Sequence, residues 1–213
     1  MTTTPGSPPT GEESLGLPEP VLLEIEERLK AREQRREVLY ERARRLRRRA
    51  QGAVHRMHRG SLPPGELAEL RTELAELGGG ADGGPGEDAG VVHDALQEAV
   101  EALLLGSVLS GESPPSPSEL GVAPEVYLLG WGDLIGEIRR LTLRALSEGK
   151  AEEARARLEL METHCHQLLR FEAPRRIVSL KPKQDTARAL LDRTRGEVTL
   201  GLLIARAAGG GHP

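Results

Sequence analysis

Residues 127–140 read YLLGWGDLIGEIRR. Trp131, Leu134, Ile135 and Ile138 recur at the three- and four-residue spacing of a helix, without the alternation of a strand. At about 100° per residue, Asp133, Glu137, Arg140 and Arg144 fall on one stripe beside that apolar surface. Gly130 and Gly136 flank the acids, where the missing Cβ lets another backbone or a ligand approach. Pro124 suits the first position of a helix, so the spacing predicts a helix from there to about Glu148. Residues 94–105, DALQEAVEALLL, repeat the pattern, with Glu98 and Glu101 three residues apart on a second apolar helix.

Outward from these two stretches the chain keeps the same period. Leu22, Ile25, Leu29, Val38, Leu39, Leu46, Val54 and Met57 recur near helical spacing without an intervening proline, predicting one long helix, or two nearly collinear ones, from Val21 to Gly60. Its middle is thinly apolar. Pro63-Pro64-Gly65 breaks it, and Leu67, Leu70, Leu74 and Leu77 stripe the next helix. A third helix is expected over about 91–109, a further one over about 150–170 and a last one over about 183–207. Residues 78–90 and 111–121 read as loops, the second with Ser and Pro placed to start a helix. Pro174 and Pro182 mark 171–182 as a connector, since proline breaks a helix interior. The fold class is therefore all-α, with five to seven helices in a bundle. The Pro-, Gly-, Ser- and Thr-rich residues 1–19 are expected to be a disordered tail, 20–207 the helical domain, and 208–213 a flexible end.

Composition narrows the function classes. Hydrophobic residues make up 38% of the 213, enough for a core, but aromatics are 2%, so Leu, Val and Ala must fill it. One cysteine, Cys165, excludes an internal disulfide framework and fits a reducing cytoplasm. The N-terminus lacks the basic and apolar regions of a signal peptide, and no apolar run approaches a membrane span. The glycines of 78–90 lack the GK[ST] ending of a phosphate-binding loop. The net charge of −4 hides segregation: residues 42–59 hold eight arginines, two histidines and no acid, while acids gather in 66–101. That pattern fits a polyanionic partner. Arginine outnumbers lysine about sixfold along the whole chain, however, so the stripe carries limited weight.

If the two acidic helices face each other, four carboxylates converge, and their repulsion raises their pKa values unless a cation lies between them. Oxygen-only ligation suits Mg²⁺ or Mn²⁺ over Zn²⁺. Such an ion activates water and offsets charge on a phosphodiester. Spacing by itself favours a solvated acidic face, since acid pairs at helical spacing are abundant on ordinary surfaces.

The segments QEAVEA (97–102), YLLGWGDLIGEIRR (127–140) and KQDTARALLDRTRGEVTL (183–200), with RARRLRRRAQGAVHRMHRG (42–60), together resemble the translin family over about residues 20–205. They are most similar to its nuclease-competent branch, translin-associated factor X and its prokaryotic relatives. The resemblance implies a seven-helix bundle in a closed, hollow homo-oligomer, a hexamer to octamer, with extra breaks to be sought in 21–60 or 171–182. It implies a cytoplasmic, Mg²⁺- or Mn²⁺-dependent endoribonuclease acting on single-stranded RNA, with single-stranded DNA a second substrate. Glu98 and Glu101 match the branch's QExxEA motif; Asp133 and Glu137 match its DLxGEL motif, with Ile138 replacing the usual last leucine. These four are the expected metal-binding and catalytic residues. The alternative is a non-catalytic single-strand-binding oligomer like translin proper.

Arg44, Arg45, Arg48 and Arg49, then His55 and Arg56, are the expected nucleic-acid contacts, and their binding should be salt-sensitive. Lys181, Lys183 and Arg188 could serve RNA, the packing of the last helix or a subunit seam. Four aromatics are too few for a base-stacking platform, and Tyr127 and Trp131 are expected in the core. His164 and His166 stand about 200° apart on a helix, unsuited to one ion. The apolar ending TRGEVTLGLLIA suits burial against another subunit.

Overall fold

The computed structural model describes residues 16–79 and 89–209. The expected disorder of residues 1–15, the glycine-rich 80–88 and the last four residues lie outside the described residues. Seven helices and no strand are present among those described: α1 (Glu19–His58), α2 (Glu66–Gly78), α3 (Ala89–Ser110), α4 (Pro117–Leu120), α5 (Pro124–Ser147), α6 (Ala151–Leu168) and α7 (Leu180–Gly209). No described helix is long and apolar enough to cross a membrane.

The chain divides into two units, Met1–Val38 and Leu39–Pro213. The described part of the first is chiefly the N-terminal half of α1, where Arg28 pairs with Glu24 and Lys30 with Glu26 at i,i+4 spacing. Val21, Leu22, Ile25 and Leu29 are exposed there.

In the second unit α5 is central. It packs against α3, α6 and α7; α6 and α7 also meet, and α2 lies on α3 and α4. Its length follows from Pro124 at the helix start and from Val126, Leu134, Ile135, Ile138 and Leu141, all buried. The second half of α1 buries Ala43, Leu46, Ala50, Ala53 and Met57, spaced alternately three and four residues apart. Alanine supplies three of those five, which is why the stretch read as thinly apolar. Ion pairs from Arg42, Arg49 and Arg56 to Glu76, Glu69, Glu73 and Glu66 add to the junction with α2. Pairs with solvent access contribute about 0–1 kcal/mol each, against roughly 1.5–3 kcal/mol for one buried Leu or Met. Leu46 and Met57 therefore anchor this end, and the arginines orient it.

Two details depart from the sequence reading. The seventh helix is not hidden in 21–60 or 171–182. It is α4, a single turn inside the expected 111–121 loop, started by Ser116 and Glu119 in a reciprocal capping box and ended by Gly121 at φ 65°. And α7 begins at Leu180, so Pro182 sits in its first turn, where a missing N–H breaks no bond of the helix. The side-chain amide of buried Gln184 donates to the carbonyls of Leu168 (3.0 Å) and Phe171 (2.9 Å), stapling this start to the end of α6.

Candidate acidic site

The two acidic helices do face each other, and a glycine sets their distance. A Cβ on Gly130 of α5 would stand 2.8 Å from the Gln97 carbonyl oxygen and 2.9 Å from Val100 Cγ1 of α3. Only hydrogen fits. Of the three glycines beside the acids, Gly130 admits the neighbouring backbone and Gly132 the stem of Lys183, whereas Gly136 has nothing within 4 Å of its Cβ position. The close approach lets the Gln97 side-chain amide donate to Asp133 Oδ2 at 2.5 Å. Glu98, Glu101 and Glu137 line one cleft of about 320 Å³, together with Gln51, Val54, His55, His58 and Arg140.

Three of the four acids have a partner brought from a distant part of the sequence. Arg47 of α1 donates to Glu98 at 2.9 Å. His58, the last residue of α1, meets Glu137 through Nε2, and Arg140 lies 3.3 Å from the same carboxylate. Lys183 of α7 pairs with Asp133 Oδ1, so both Asp133 oxygens are engaged. Glu101 is the exception, with no hydrogen bond or ion pair among the described residues. Burial, then the charges of Asp133, Glu137 and Glu98, push its carboxyl up to about 8, with Lys183 opposing.

The four carboxylates form one candidate donor set for a divalent cation. It is all oxygen, as Mg²⁺ and Mn²⁺ prefer, and an uncompensated, half-buried carboxyl amid three others is the position a cation would relieve. With their present partners the side chains are not gathered: among the described residues no three of His, Cys, Asp or Glu stand close enough to grip one ion. The residues fit the ion once a cationic side chain gives way. Asp94, one turn before Glu98, is exposed.

The expected nucleic-acid contacts separate into two groups. Arg44, Arg45 and Arg48 are exposed and have no carboxylate partner among the described residues, and His55 lines the acidic cleft. Arg49 instead holds Glu69 and Glu73, and Arg56 holds Glu66. Those two are committed to α2. Trp131 and Tyr127 are half-buried: the indole N–H donates to His164 Nδ1 at 2.9 Å, and the Tyr127 hydroxyl to the Pro115 carbonyl at 2.9 Å. Cys165 is buried.

Sequence reasoning missed Gln97 and His58 as members of the site and left Lys183 among three roles. Gln97 stands in the QEAVEA segment, one residue before Glu98, and that adjacency was its signal. Nothing in the sequence pairs His58 with a residue 79 positions later.

No family model matches the chain. Over 113 residues it is 34% identical to the uncharacterized protein MJ0175 of Methanocaldococcus jannaschii, a match covering 53% of this chain and 51% of that protein. The chain thus spans about half the length of the curated relative it matches. Among solved structures it is similar to AfC3PO, at 30% identity and a TM-score of 0.75, covering 86% of this chain and 97% of that one. AfC3PO in complex with duplex RNA gives 29% identity and a TM-score of 0.75, with 90% and 99% covered. Apo-NeC3PO, at 24% identity and a TM-score of 0.74 over 87% and 100%, shares the fold.

Proposed function

The chain belongs to the translin family, and from that membership we propose that it is a metal-dependent endoribonuclease of the cytoplasm. The observation that carries the reading is the cleft where α3 and α5 bring carboxylates together around an unpaired, half-buried Glu101. RNA as the ligand class is supported by the likeness to AfC3PO, which has been solved with duplex RNA. Single-stranded RNA is the proposed substrate, with single-stranded DNA a second.

Glu98, Glu101, Asp133 and Glu137 would hold a Mg²⁺ or Mn²⁺ ion. When bound, the ion supplies positive charge that activates water and offsets the charge building on the phosphodiester. Gln97 holds Asp133 at a fixed angle through one carboxylate oxygen. Arg47 and His58 hold Glu98 and Glu137 at the cleft wall. Arg44, Arg45 and Arg48 offer free guanidinium groups to the phosphate backbone. With few aromatics available, recognition is electrostatic and weakly sequence-specific. Assembly into a closed homo-oligomer of six to eight copies is part of the proposal, supported by exposed Leu200, Leu203 and Ile204 on α7.

End-labelled single-stranded and duplex RNA, each incubated with protein in Mg²⁺ and in EDTA, test the proposal. Cleavage that requires the ion and is lost in Glu98→Ala and Asp133→Ala, with binding and oligomer size preserved, is the expected result. The second reading is a non-catalytic RNA-binding oligomer. It is favoured by the cations already seated on these acids, Arg47 on Glu98, Lys183 on Asp133 and Arg140 on Glu137, and binding without ion-dependent cleavage would establish it.

A further inference from the structure

Lys183 lies in the first turn of α7, and its place is built in. Leu180 and Gln184 around it are buried, and Gln184 staples the turn to the end of α6. On the other side, its stem lies against Gly132 of α5: a Cβ there would stand 3.1 Å from Lys183 Cβ and 3.4 Å from Cγ. A side chain at 132 would press on the stem that carries the ammonium to Asp133. The pair is partly shielded, at 30% and 27% side-chain exposure, so water screens it less than the half-exposed Arg47 on Glu98.

We propose that Lys183 is the resident counter-ion of the acidic site: a divalent cation must displace its ammonium from Asp133, and the freed ammonium then binds a phosphate of the RNA. The inference rests on the metal-dependent reading above. Asp133 has two oxygens, and Gln97 and Lys183 use one each. A divalent cation on Asp133 is repelled by an ammonium on the same carboxylate, whereas the neutral Gln97 amide can stay, so Lys183 is the group that must leave. Once the cation neutralises Asp133, Lys183 is a positive charge on a four-carbon arm without its carboxylate. Its hinge at α7 holds it beside the cleft, and a phosphate oxygen is the anion that an RNA ligand brings there. Lys183 is thus a positioning residue that couples the binding of ion and RNA.

Lys183→Met keeps the stem on Gly132 and removes the charge; Lys183→Arg keeps a charge. Calorimetric titration of Mn²⁺ into the RNA-free full-length proteins comes first. Lys183→Met should bind Mn²⁺ on the order of tenfold more tightly than the unaltered protein, as expected when one charge-assisted pair no longer competes. Lys183→Arg should stay close to the unaltered protein. RNA affinity is then compared in EDTA and in Ca²⁺. Ca²⁺ should tighten RNA binding to the unaltered protein and do so less in Lys183→Met. Equal or weaker Mn²⁺ binding by Lys183→Met, or equal coupling to RNA, would overturn the role of Lys183 and leave the metal site standing. Failure of both proteins to bind Mn²⁺ would overturn the metal reading itself. Matching melting curves for the variants and the unaltered protein exclude misfolding as the cause.

Discussion

Gly130 of α5 and Gln97 of α3 are in contact so close that a methyl group at 130 would stand 2.8 Å from the Gln97 carbonyl oxygen. That contact sets the separation of the two acidic helices. Gly130→Ala must force them apart, and overpacking of this kind costs about 1–3 kcal/mol. It should also lengthen the Gln97–Asp133 bond and reduce cleavage. Gly136→Ala is the control: nothing lies within 4 Å of its Cβ position, and Ala for Gly in a helix gains about 0.5–1 kcal/mol. Chemical denaturation at one protein concentration should give opposite signs for the two variants.

Glu101 makes stability depend on pH. Its carboxyl is raised from an ordinary 4.5 to about 8 in the folded chain, so the folded state holds a proton that the unfolded state has released between those values. Its contribution is complete below about pH 4.5 and is lost as pH rises through about 8. In EDTA, the unaltered protein should therefore lose stability relative to Glu101→Gln between pH 5 and pH 8. Mn²⁺ at pH 8 should restore stability to the unaltered protein and do less for the variant. Melting curves at the two pH values, with and without the ion, measure both effects.

Neighbouring arginines of α1 should behave differently. Arg48 is exposed without a carboxylate partner among the described residues, whereas Arg49 holds Glu69 and Glu73. Arg48→Ala should weaken RNA binding evenly across sequences, lower the salt slope by about one, and leave the melting curve unchanged. Arg49→Ala should cost roughly 1 kcal/mol of stability, because Glu73 loses its partner while largely covered. Filter binding at several salt concentrations, beside denaturant melts, separates the two roles.

The residues that could be read from sequence are those whose partners are close along the chain. The α5 helix was legible from Pro124 and the spacing of Leu134, Ile135 and Ile138, since turn geometry and apolar period are local properties. The acid pairs were legible for the same reason, as residues three or four apart share a helix face. The short α4 was not, because four residues carry no period, although Ser116, Pro117 and Glu119 formed its start signal. Pro182 misled about the start of α7, because a proline forbidden in a helix interior is tolerated in its first turn.

By itself the sequence determined that this chain is helical, where its main apolar stripes run, and which four carboxylates could share a site. Only the tertiary structure decided what stands beside them. The second half of α1 and the start of α7 bring Arg47 to Glu98, His58 to Glu137 and Lys183 to Asp133, across 51, 79 and 50 positions of sequence. No local period encodes such distances. The same packing leaves Glu101 half-buried without a paired cation, because its neighbours on the facing helix are acids and the arginines and lysine that reach this site are paired with the other three carboxylates.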